Sequence, residues 1–179
     1  MRTLTEQETM IVFKKLSIFV GSNLLSILSN NSERYVLRMH KFNIYLVRDD
    51  IAKHAQSINK NSLVSLGTCL GNLTKANNFL LKITSLPILN DYCIHKIWLK
   101  ETGEKNFLFG NNVIKAHILK ISDNIKNGDG VLVLSMNDNP VGFGISTRST
   151  QDLKLLYVTD TVLIHQADVG EYLRNEAHL

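Results

Sequence analysis

The apolar positions near the start of the chain recur with a helical period. Over residues 5–28 an apolar side chain returns every three or four positions, which predicts one long amphipathic helix. Thr5 and Glu8 have the spacing of a capping box, in which each side chain bonds the other's free backbone amide. The apolar stripe of this helix consists of Phe13, Leu16, Val20, Leu24 and Ile27.

The remainder of the first half changes to the two-residue period of strands, broken by short helical segments. Two aspartates begin one of these helices, because carboxylates are favourable at a helix N-terminus. The predicted elements are, in order, a hairpin over 35–39 and 43–47, a helix from Asp49 and Asp50, strands over 63–66 and 79–84, and a short helix or turn over 87–91.

After a boundary placed within residues 91–95, nearly every segment predicts a strand or a turn. Short strands separated by glycine and asparagine turns are typical of a small barrel or sandwich. A closing helix is predicted from Asp168, its cap, to about residue 175, with Val169, Tyr172 and Leu173 buried. The predicted strands cover 95–100, 131–135, 141–147 and 162–165, and the aromatic segment 107–109 is also interpreted as strand.

Composition and charge narrow the class of protein. The chain is 44% hydrophobic and 20% charged, which allows a buried core and excludes disorder as the main state. No apolar stretch is expected to approach the roughly 18 residues of a membrane-spanning helix. The net charge of +4 is uneven, because residues 1–93 carry 11 basic and 6 acidic side chains and residues 94–179 carry 9 and 10. A polyanionic partner is compatible with this balance.

The motifs of common enzymes are missing from the sequence. A P-loop requires lysine directly after its second glycine, but Lys75 follows Gly71 by four positions. No dinucleotide-binding glycine pattern opens a helix after a strand. The segment from Gly144 through Ser146 continues with Thr147 and therefore lacks the second glycine of a nucleophile elbow.

The remaining candidate reactive groups have simpler interpretations. Cys69 and Cys93 are 24 positions apart, which indicates neither a disulfide framework nor a zinc site and fits a reducing, intracellular compartment. We interpret both as small buried hydrophobic residues. His165 is interpreted as the end of a strand and Asp168 as a helix cap, so that their side chains need not meet. We expect no metal and no cofactor.

Glycines near basic residues suggest a binding surface in the second half. Gly142 and Gly144 lie in one predicted strand, Arg148 follows that strand, and Lys154 lies in the next loop. Bare backbone beside cations could follow a phosphate chain. The same glycines could instead bend a tight barrel, with the charges being ordinary surface. The residue types favour neither interpretation.

Several longer segments resemble a known family. They are MRTLTEQET (1–9), SLVSLGTCLGNLTK (62–75), FLFGNNVIKAHI (107–118), SMNDNPVGFGIS (135–146), STQD (149–152) and HQADVGEYLRNE (165–176). Together they are similar to the eukaryotic large-subunit (60S) ribosome biogenesis proteins that carry a C-terminal PUA domain. The resemblance runs from residue 1 to about residue 176.

The resemblance implies an α+β fold with two domains. Residues 1–93 would form an α/β domain with an antiparallel sheet and flanking helices, and residues 94–179 a PUA RNA-binding domain, a small mixed β-barrel-like module. The family is not enzymatic and acts in pre-rRNA processing and 60S assembly in the nucleolus of the nucleus. Its implied partners are pre-ribosomal RNA, the pre-60S particle and other assembly factors, with no membrane, and we expect a monomer.

The predicted RNA site combines the resemblance with the glycine pattern. We expect phosphates to contact Lys115, Lys120, Arg148 and Lys154, while Gly110, Gly142 and Gly144 keep the backbone open. Two departures from the family pattern stand out. Ala116 is followed by His117 where glycine is common, and Lys154 lies among Leu153, Leu155 and Leu156 instead of further basic residues.

Two other functions stay open at the level of sequence. The apolar residues around Lys154 could meet a protein, which would make the chain chiefly an adaptor within pre-ribosomal particles with little direct RNA contact. PUA domains are also appended to RNA-modifying enzymes. The missing cofactor loop and the short first half count against that reading.

Overall fold

Two six-stranded sheets follow one another along the chain. The structure is a computed structural model in which residues 1–30, 33–59 and 62–174 are described. The strands of the first sheet lie between Arg2 and Leu81, and those of the second between His95 and Asp168. The division into domains of 1–93 and 94–179 stays a prediction.

The first strand, β1 (Arg2–Thr3), leads into the predicted N-terminal helix. The helix begins as expected, because Thr5 Oγ1 accepts a hydrogen bond from the Glu8 amide at 3.3 Å and Glu8 Oε2 accepts one from the Thr5 amide at 2.8 Å. It is not continuous. The structure divides it into α1 (Glu6–Val20), a 3-10 turn over Gly21–Asn23, and α2 (Leu24–Leu28).

This helical stretch corrects the expectation about membrane-spanning segments. Glu6–Leu28 covers 23 residues with a mean hydropathy of 1.6, so by length and composition it could cross a membrane. The expectation that no stretch approaches that length is therefore wrong. In the structure 28% of the most apolar part of this stretch is buried, and Val12, Leu16 and Phe19 lie on the buried face.

The predicted hairpin and second helix are confirmed. After β2 (Ser29–Asn30), the hairpin strands β3 (Glu33–His40) and β4 (Asn43–Arg48) pair antiparallel, and α3 (Asp49–His54) follows at once. β1 and β2 both pair with the edge of β3 that faces away from β4. The later strands of the sheet follow on the far side of β4.

The next two strands differ from the prediction. No strand forms at residues 63–66. β5 (Thr68–Leu73) begins only after Gly67, whose φ of +73° turns the chain into the sheet and whose backbone lies against the Leu46 carbonyl. β6 (Phe79–Leu81) is shorter than predicted, because a 3-10 turn occupies Ile83–Ser85. The predicted short helix is present as α4 (Leu86–Tyr92).

The second sheet is nearly a closed barrel. Its order is β8-β12-β11-β10-β7-β9, with β7 and β10 parallel and the other pairs antiparallel. A 3-10 turn over Lys115–His117 joins the two edge strands. The elements are β7 (His95–Leu99), α5 (Glu101–Leu108), β8 (Val113–Ile114), β9 (Ile118–Ile121), β10 (Gly130–Leu134), β11 (Pro140–Ser146), β12 (Thr161–Asp168) and α6 (Glu171–Arg174).

Two predictions fail in this half. The segment 107–109 is not a strand. Residues up to Leu108 end α5, which carries acidic residues in its first turn and an i,i+4 ion pair from Lys105 to Glu101 at 2.8 Å. The burial predicted for Tyr172 and Leu173 is also wrong, because they are 45% and 90% exposed. Val169 is partly buried against the main core. The predicted end near residue 175 lies outside the described residues.

The main hydrophobic core is shared by both sheets. Phe19 of α1 contacts Phe143 of β11, and Gly130 of β10 lies so close to the Phe19 ring that a Cβ would collide with it. One cluster therefore includes side chains of α1 together with those of β10 and β11. A second cluster, around Ile97 and Phe107, fills the barrel.

Candidate functional site

The loop between β11 and β12, residues 147–160, lies along one side of the barrel and is held at several points. The Thr150 amide donates to the Ile125 carbonyl at 3.0 Å, and Thr150 Oγ1 donates to the Ser122 carbonyl at 3.2 Å. Near its other end, the Ala116 amide donates to the Val158 carbonyl at 2.9 Å. These bonds place the loop beside β9 and the turn that joins β8 to β9.

Arg148 and Lys154 are both exposed in this loop. Lys154 lines a shallow depression together with Asp123, Asn124, Thr150 and Gln151. Ser149 Oγ donates to Asp152 Oδ2 at 2.6 Å, and this bond is the main cause of the lowered pKa of Asp152. The two cations therefore face solvent on a surface of mixed charge.

Lys115 contacts the loop that carries Lys154, and its predicted phosphate contact stays a prediction. It is half-buried, and its Nζ donates to the Leu156 carbonyl at 2.7 Å. Its amide also donates to the Asp160 carbonyl at 3.0 Å. Lys115 therefore fixes the loop that carries Lys154.

Lys120 of β9 lies against an aromatic ring that the sequence analysis did not single out. Its Nζ is 4.6 Å from the centre of the Trp98 ring, within the range of a cation–π contact. Trp98 Nε1 donates to Asp138 Oδ1 at 2.5 Å, which fixes the ring. Only the pairing of Trp98 with Lys120 across β7 and β9 brings them together, so no local sequence signal could have shown it.

The premise of an open glycine backbone is wrong for two of the three glycines. Gly142 and Gly144 are buried in β11, and a Cβ there would collide with the carbonyls of Ala167 and Ile164 in β12. They allow close approach of two strands inside the barrel. Gly110 is exposed, has a φ of +84°, and has nothing within 4 Å of a Cβ position.

The glycines are also separated from the loop cations along β12. Gly142 is opposite Asp168 at the end of β12, whereas Lys115 adjoins Ile114, which is opposite Thr161 at its beginning. The structure thus groups Lys115, Arg148 and Lys154 around the loop. Lys120 lies apart from them over Trp98, which is opposite Leu134 and bonds Asp138 at the β10–β11 turn, the end of β11 away from that loop. The structure does not bring Gly142 to the loop.

His165 and Asp168 do meet, contrary to the sequence interpretation. His165 Nε2 lies 2.6 Å from Asp168 Oδ2, and Arg174 Nη2 donates to that same oxygen at 2.7 Å. Asp168 is fully buried and also accepts from the Gly170 amide at 2.7 Å. Arg174 donates further to the Leu108 carbonyl, so this cluster fastens α6 to the barrel.

The same cluster does not fit a metal ion. Ligand-type atoms of His165, Asp168 and Glu171 lie within 4.8 Å of one another. The guanidinium of Arg174 already supplies the positive charge at the buried carboxylate. A divalent cation would be repelled by that group at close range.

Cys93 is buried, as predicted, whereas Cys69 is only half-buried. Cys69 and Cys93 are free thiols. Burial is the main cause of a raised thiol pKa at both positions, which disfavours the reactive thiolate.

Apolar side chains are exposed in the same loop that carries the cations. Leu155, Tyr157 and Val158 are 85%, 79% and 64% exposed. Leucine at 155 was noted in the sequence, but Tyr157 and Val158 were not. A contiguous exposed apolar patch is typical of an interaction surface.

Models of two protein families match the two halves of the chain. The model described as NIP7/UPF0113, pre-PUA domain matches residues 1–83, and the UPF0113 PUA domain matches residues 95–177. A solved PUA-domain structure from Aeropyrum pernix K1 shares the fold, with a TM-score of 0.62 at 13% identity over 98% of this chain and 89% of that one.

Full-length relatives give the same result. The chain is 47% identical over 176 residues to the 60S ribosome subunit biogenesis protein NIP7 of Saccharomyces cerevisiae, covering 98% of this chain and 97% of the relative. It is 41% identical over 179 residues to the NIP7 homolog of Pongo abelii, covering 100% and 99%. The chain therefore belongs to the NIP7 family of 60S ribosome subunit biogenesis proteins, with a pre-PUA region followed by a PUA domain.

Proposed function

We propose that the chain is a non-enzymatic RNA-binding factor in pre-rRNA processing and assembly of the 60S ribosomal subunit. It acts as a monomer without a cofactor, in the nucleolus, bound to pre-ribosomal RNA and other assembly factors of the pre-60S particle. The names of its relatives support the process. The observation that carries RNA binding is the exposure of three cations of the PUA domain, Arg148 and Lys154 in the loop after β11 and Lys120, which lies over the Trp98 ring.

We assign a separate role to each of these residues and to Lys115. Arg148 and Lys154 bind phosphates, because their charged groups are exposed and the loop that carries them is fixed by backbone hydrogen bonds. Lys120 and Trp98 form a cation–aromatic pair, on whose margin a base stacks. Lys115 positions the loop.

The arrangement of titratable groups supports a non-catalytic role. The pair most similar to a catalytic dyad, His165 and Asp168, is occupied by Arg174 and by a backbone amide. The raised pKa values of the two thiols disfavour nucleophilic attack. Turnover of RNA or of a cofactor by the purified protein would contradict this part of the proposal.

Salt dependence tests the phosphate contacts directly. The affinity for a single-stranded RNA 20-mer is measured against salt for the intact chain and for the Arg148→Ala/Lys154→Ala variant. Loss of two phosphate contacts flattens the log–log slope by about 1.4, since each contact on a single strand contributes about 0.7. The matched control is Lys53→Ala/Lys105→Ala, which removes two exposed lysines held in helical ion pairs elsewhere. Equal slopes for both variants would contradict the assignment.

A protein-interaction adaptor is the second candidate function. The observation that favours it is the exposure of Leu155, Tyr157 and Val158 in the loop. The Leu155→Ser/Tyr157→Ser variant separates the two functions. An adaptor loses association with pre-60S particles in a sucrose gradient while its RNA affinity is unchanged, whereas an RNA-binding factor retains the association.

A further inference from the structure

The edge of β3 is left open in its middle. β1 pairs with Met39 and Arg38, and β2 pairs with Arg34 and Glu33. On that side, residues 35–37 have no strand partner within the described part of the chain, although their other side pairs with β4. Unpaired main-chain groups at a sheet edge are a template for another strand.

A groove of about 810 Å³ lies at this gap, between the edge of β3 and the helices α1 and α2. It is lined by side chains from both faces of β3, which places it at the edge of the sheet. Its wall is largely apolar, and Leu25 on the rim is 74% exposed. The apolar wall includes Leu4, Phe13, Leu25, Leu28, Val36 and Leu37.

The charged rim of the groove is basic. Arg34 and Arg38 line it, and neither side chain has a hydrogen bond or ion pair to a residue that the structure describes, although the charges of both contribute to the lowered pKa of Asp49. Glu33, the one carboxylate among the described lining residues, is 3.0 Å from Arg48 and also accepts from the Tyr35 hydroxyl at 2.9 Å. Asp49 is itself 2.9 Å from Lys53, so the two arginines retain positive charge for a partner's carboxylates.

We propose that this groove binds an extended acidic–apolar peptide segment of a partner protein, which adds a short strand to residues 35–37. This inference is independent of RNA binding by the PUA domain. Main-chain hydrogen bonds supply affinity in this mode of recognition, and side chains at alternate positions supply specificity.

The faces of β3 dictate the peptide pattern. Tyr35 and Leu37 pack towards α1 and the main core, whereas Val36 packs towards α3. Strand alternation places Arg34 and Arg38 on the face of Val36. The central peptide residue lies opposite Val36, and the residues on either side of it direct apolar side chains at the groove. The residues two positions from the centre are acidic and face the two arginines. The expected pattern is therefore acidic–apolar–apolar–apolar–acidic.

The geometry disfavours a second copy of this chain as the occupant. Antiparallel pairing of two β3 edges about Val36 would set Arg34 of one copy opposite Arg38 of the other, and like charges directly opposite are destabilising. The gap also limits the added strand to three residues, about 10 Å at 3.3 Å per residue. The peptide must leave the sheet at both ends, where β1 and β2 occupy the edge.

A designed probe tests the site. Fluorescein-labelled Gly-Gly-Glu-Leu-Val-Leu-Glu amide is titrated with the full chain by fluorescence polarisation. We expect saturable binding below about 1 mM. Leu25→Glu, a substitution at an exposed rim position, and Arg34→Glu/Arg38→Glu each weaken binding about tenfold or more. Leu173→Glu changes another exposed leucine, in the other half of the chain, and leaves binding unchanged.

Charge reversal and hydrogen exchange complete the test. The Arg34→Glu/Arg38→Glu variant binds the Lys-Leu-Val-Leu-Lys counterpart more tightly than the unmodified chain does, and the acidic peptide protects amides of residues 35–37 from exchange. Circular dichroism shows that each variant is folded. No saturation at 1 mM, or an equal loss of peptide binding in Leu173→Glu, would overturn the proposal. So would an arginine variant that loses affinity for the RNA 20-mer while its affinity for the acidic peptide is unchanged.

Discussion

The ring of Phe19 packs edge-on against the ring of Phe143, with ring centres 5.5 Å apart and planes inclined by 84°. Phe19 comes from the first helix and Phe143 from the barrel strand β11, and both are fully buried. This contact joins the pre-PUA region to the PUA domain. The two matched regions therefore share one core, and the orientation of the barrel depends on the first helix.

Phe19→Ala is expected to lower the free energy of unfolding by about 3–5 kcal/mol, because it opens a cavity in the shared core. A double-mutant cycle with Phe143→Ala should give a coupling of about 0.5–1.5 kcal/mol from the edge-to-face contact. Urea unfolding measures both. Phe109→Ala removes a ring that is 76% exposed and should change stability by less than about 0.5 kcal/mol. Equal losses of stability in Phe19→Ala and Phe109→Ala would contradict the burial of Phe19 in the shared core.

The capping box makes stability depend on pH through Glu8. Hydrogen bonds from Arg2, first, and from the Thr5 backbone lower the pKa of Glu8 from 4.5 to about 2. A lowered pKa stabilises the fold above pH 4.5, and this contribution is lost as the pH falls from 4.5 towards 2. Glu8→Gln should therefore show a smaller loss of stability across that window in thermal unfolding. If the stability of both proteins depends on pH in the same way, Glu8 is excluded as a source of the pH dependence.

The buried carboxylate of Asp168 depends on Arg174. Arg174→Ala removes the charged donor from a fully buried oxygen and should lower stability by about 1.5–3 kcal/mol, measured by chemical unfolding. Arg174→Lys keeps the charge but not the fork that also reaches the Leu108 carbonyl, so its cost should be smaller. The control is Lys105→Ala, which breaks an exposed pair worth at most about 1 kcal/mol. If Arg174→Ala lowers stability no more than Lys105→Ala does, the proposed role of Arg174 in stabilising the buried Asp168 carboxylate is contradicted.

Trp98 is the single tryptophan of the chain, so its fluorescence reports on one place. If a base stacks beside Trp98 and Lys120, addition of the RNA 20-mer should quench the emission with the same midpoint as the binding curve. Lys120→Ala should shift both midpoints together to higher RNA concentration. RNA binding without any change in Trp98 emission would place the contact elsewhere.

Local patterns predicted the parts of the fold that depend on neighbouring residues. The capping box of Thr5 and Glu8, the hairpin of β3 and β4, and the helix from Asp49 follow from short-range periodicity and charge. The strand predicted over 107–109 does not form, because α5 extends to Leu108, and the aromatic residues there coincide with the helical spacing of Glu101 and Lys105. The aromatic residues favour a strand and the spacing of the charged residues favours a helix, and only packing decides between the two.

The candidate surface was less predictable, since it depends on contacts between distant residues. Glycine in a strand leaves space either for a ligand or for another strand, and Gly144 uses it for β12. The Lys120–Trp98 pair exists only through the register of β7 and β9. Likewise, the bond from Lys115 to the Leu156 carbonyl joins residues 41 positions apart, so the sequence does not show that Lys115 holds the loop.

The most direct test of RNA binding by this surface is ultraviolet crosslinking of the intact protein within its native pre-60S particle. Mass spectrometry of the RNA-linked peptides locates the contact. The proposed function predicts crosslinks in residues 118–126 and 147–160, with Arg148→Ala/Lys154→Ala reducing their yield. Crosslinks confined to residues 1–93, or an equal yield from the variant, would contradict it.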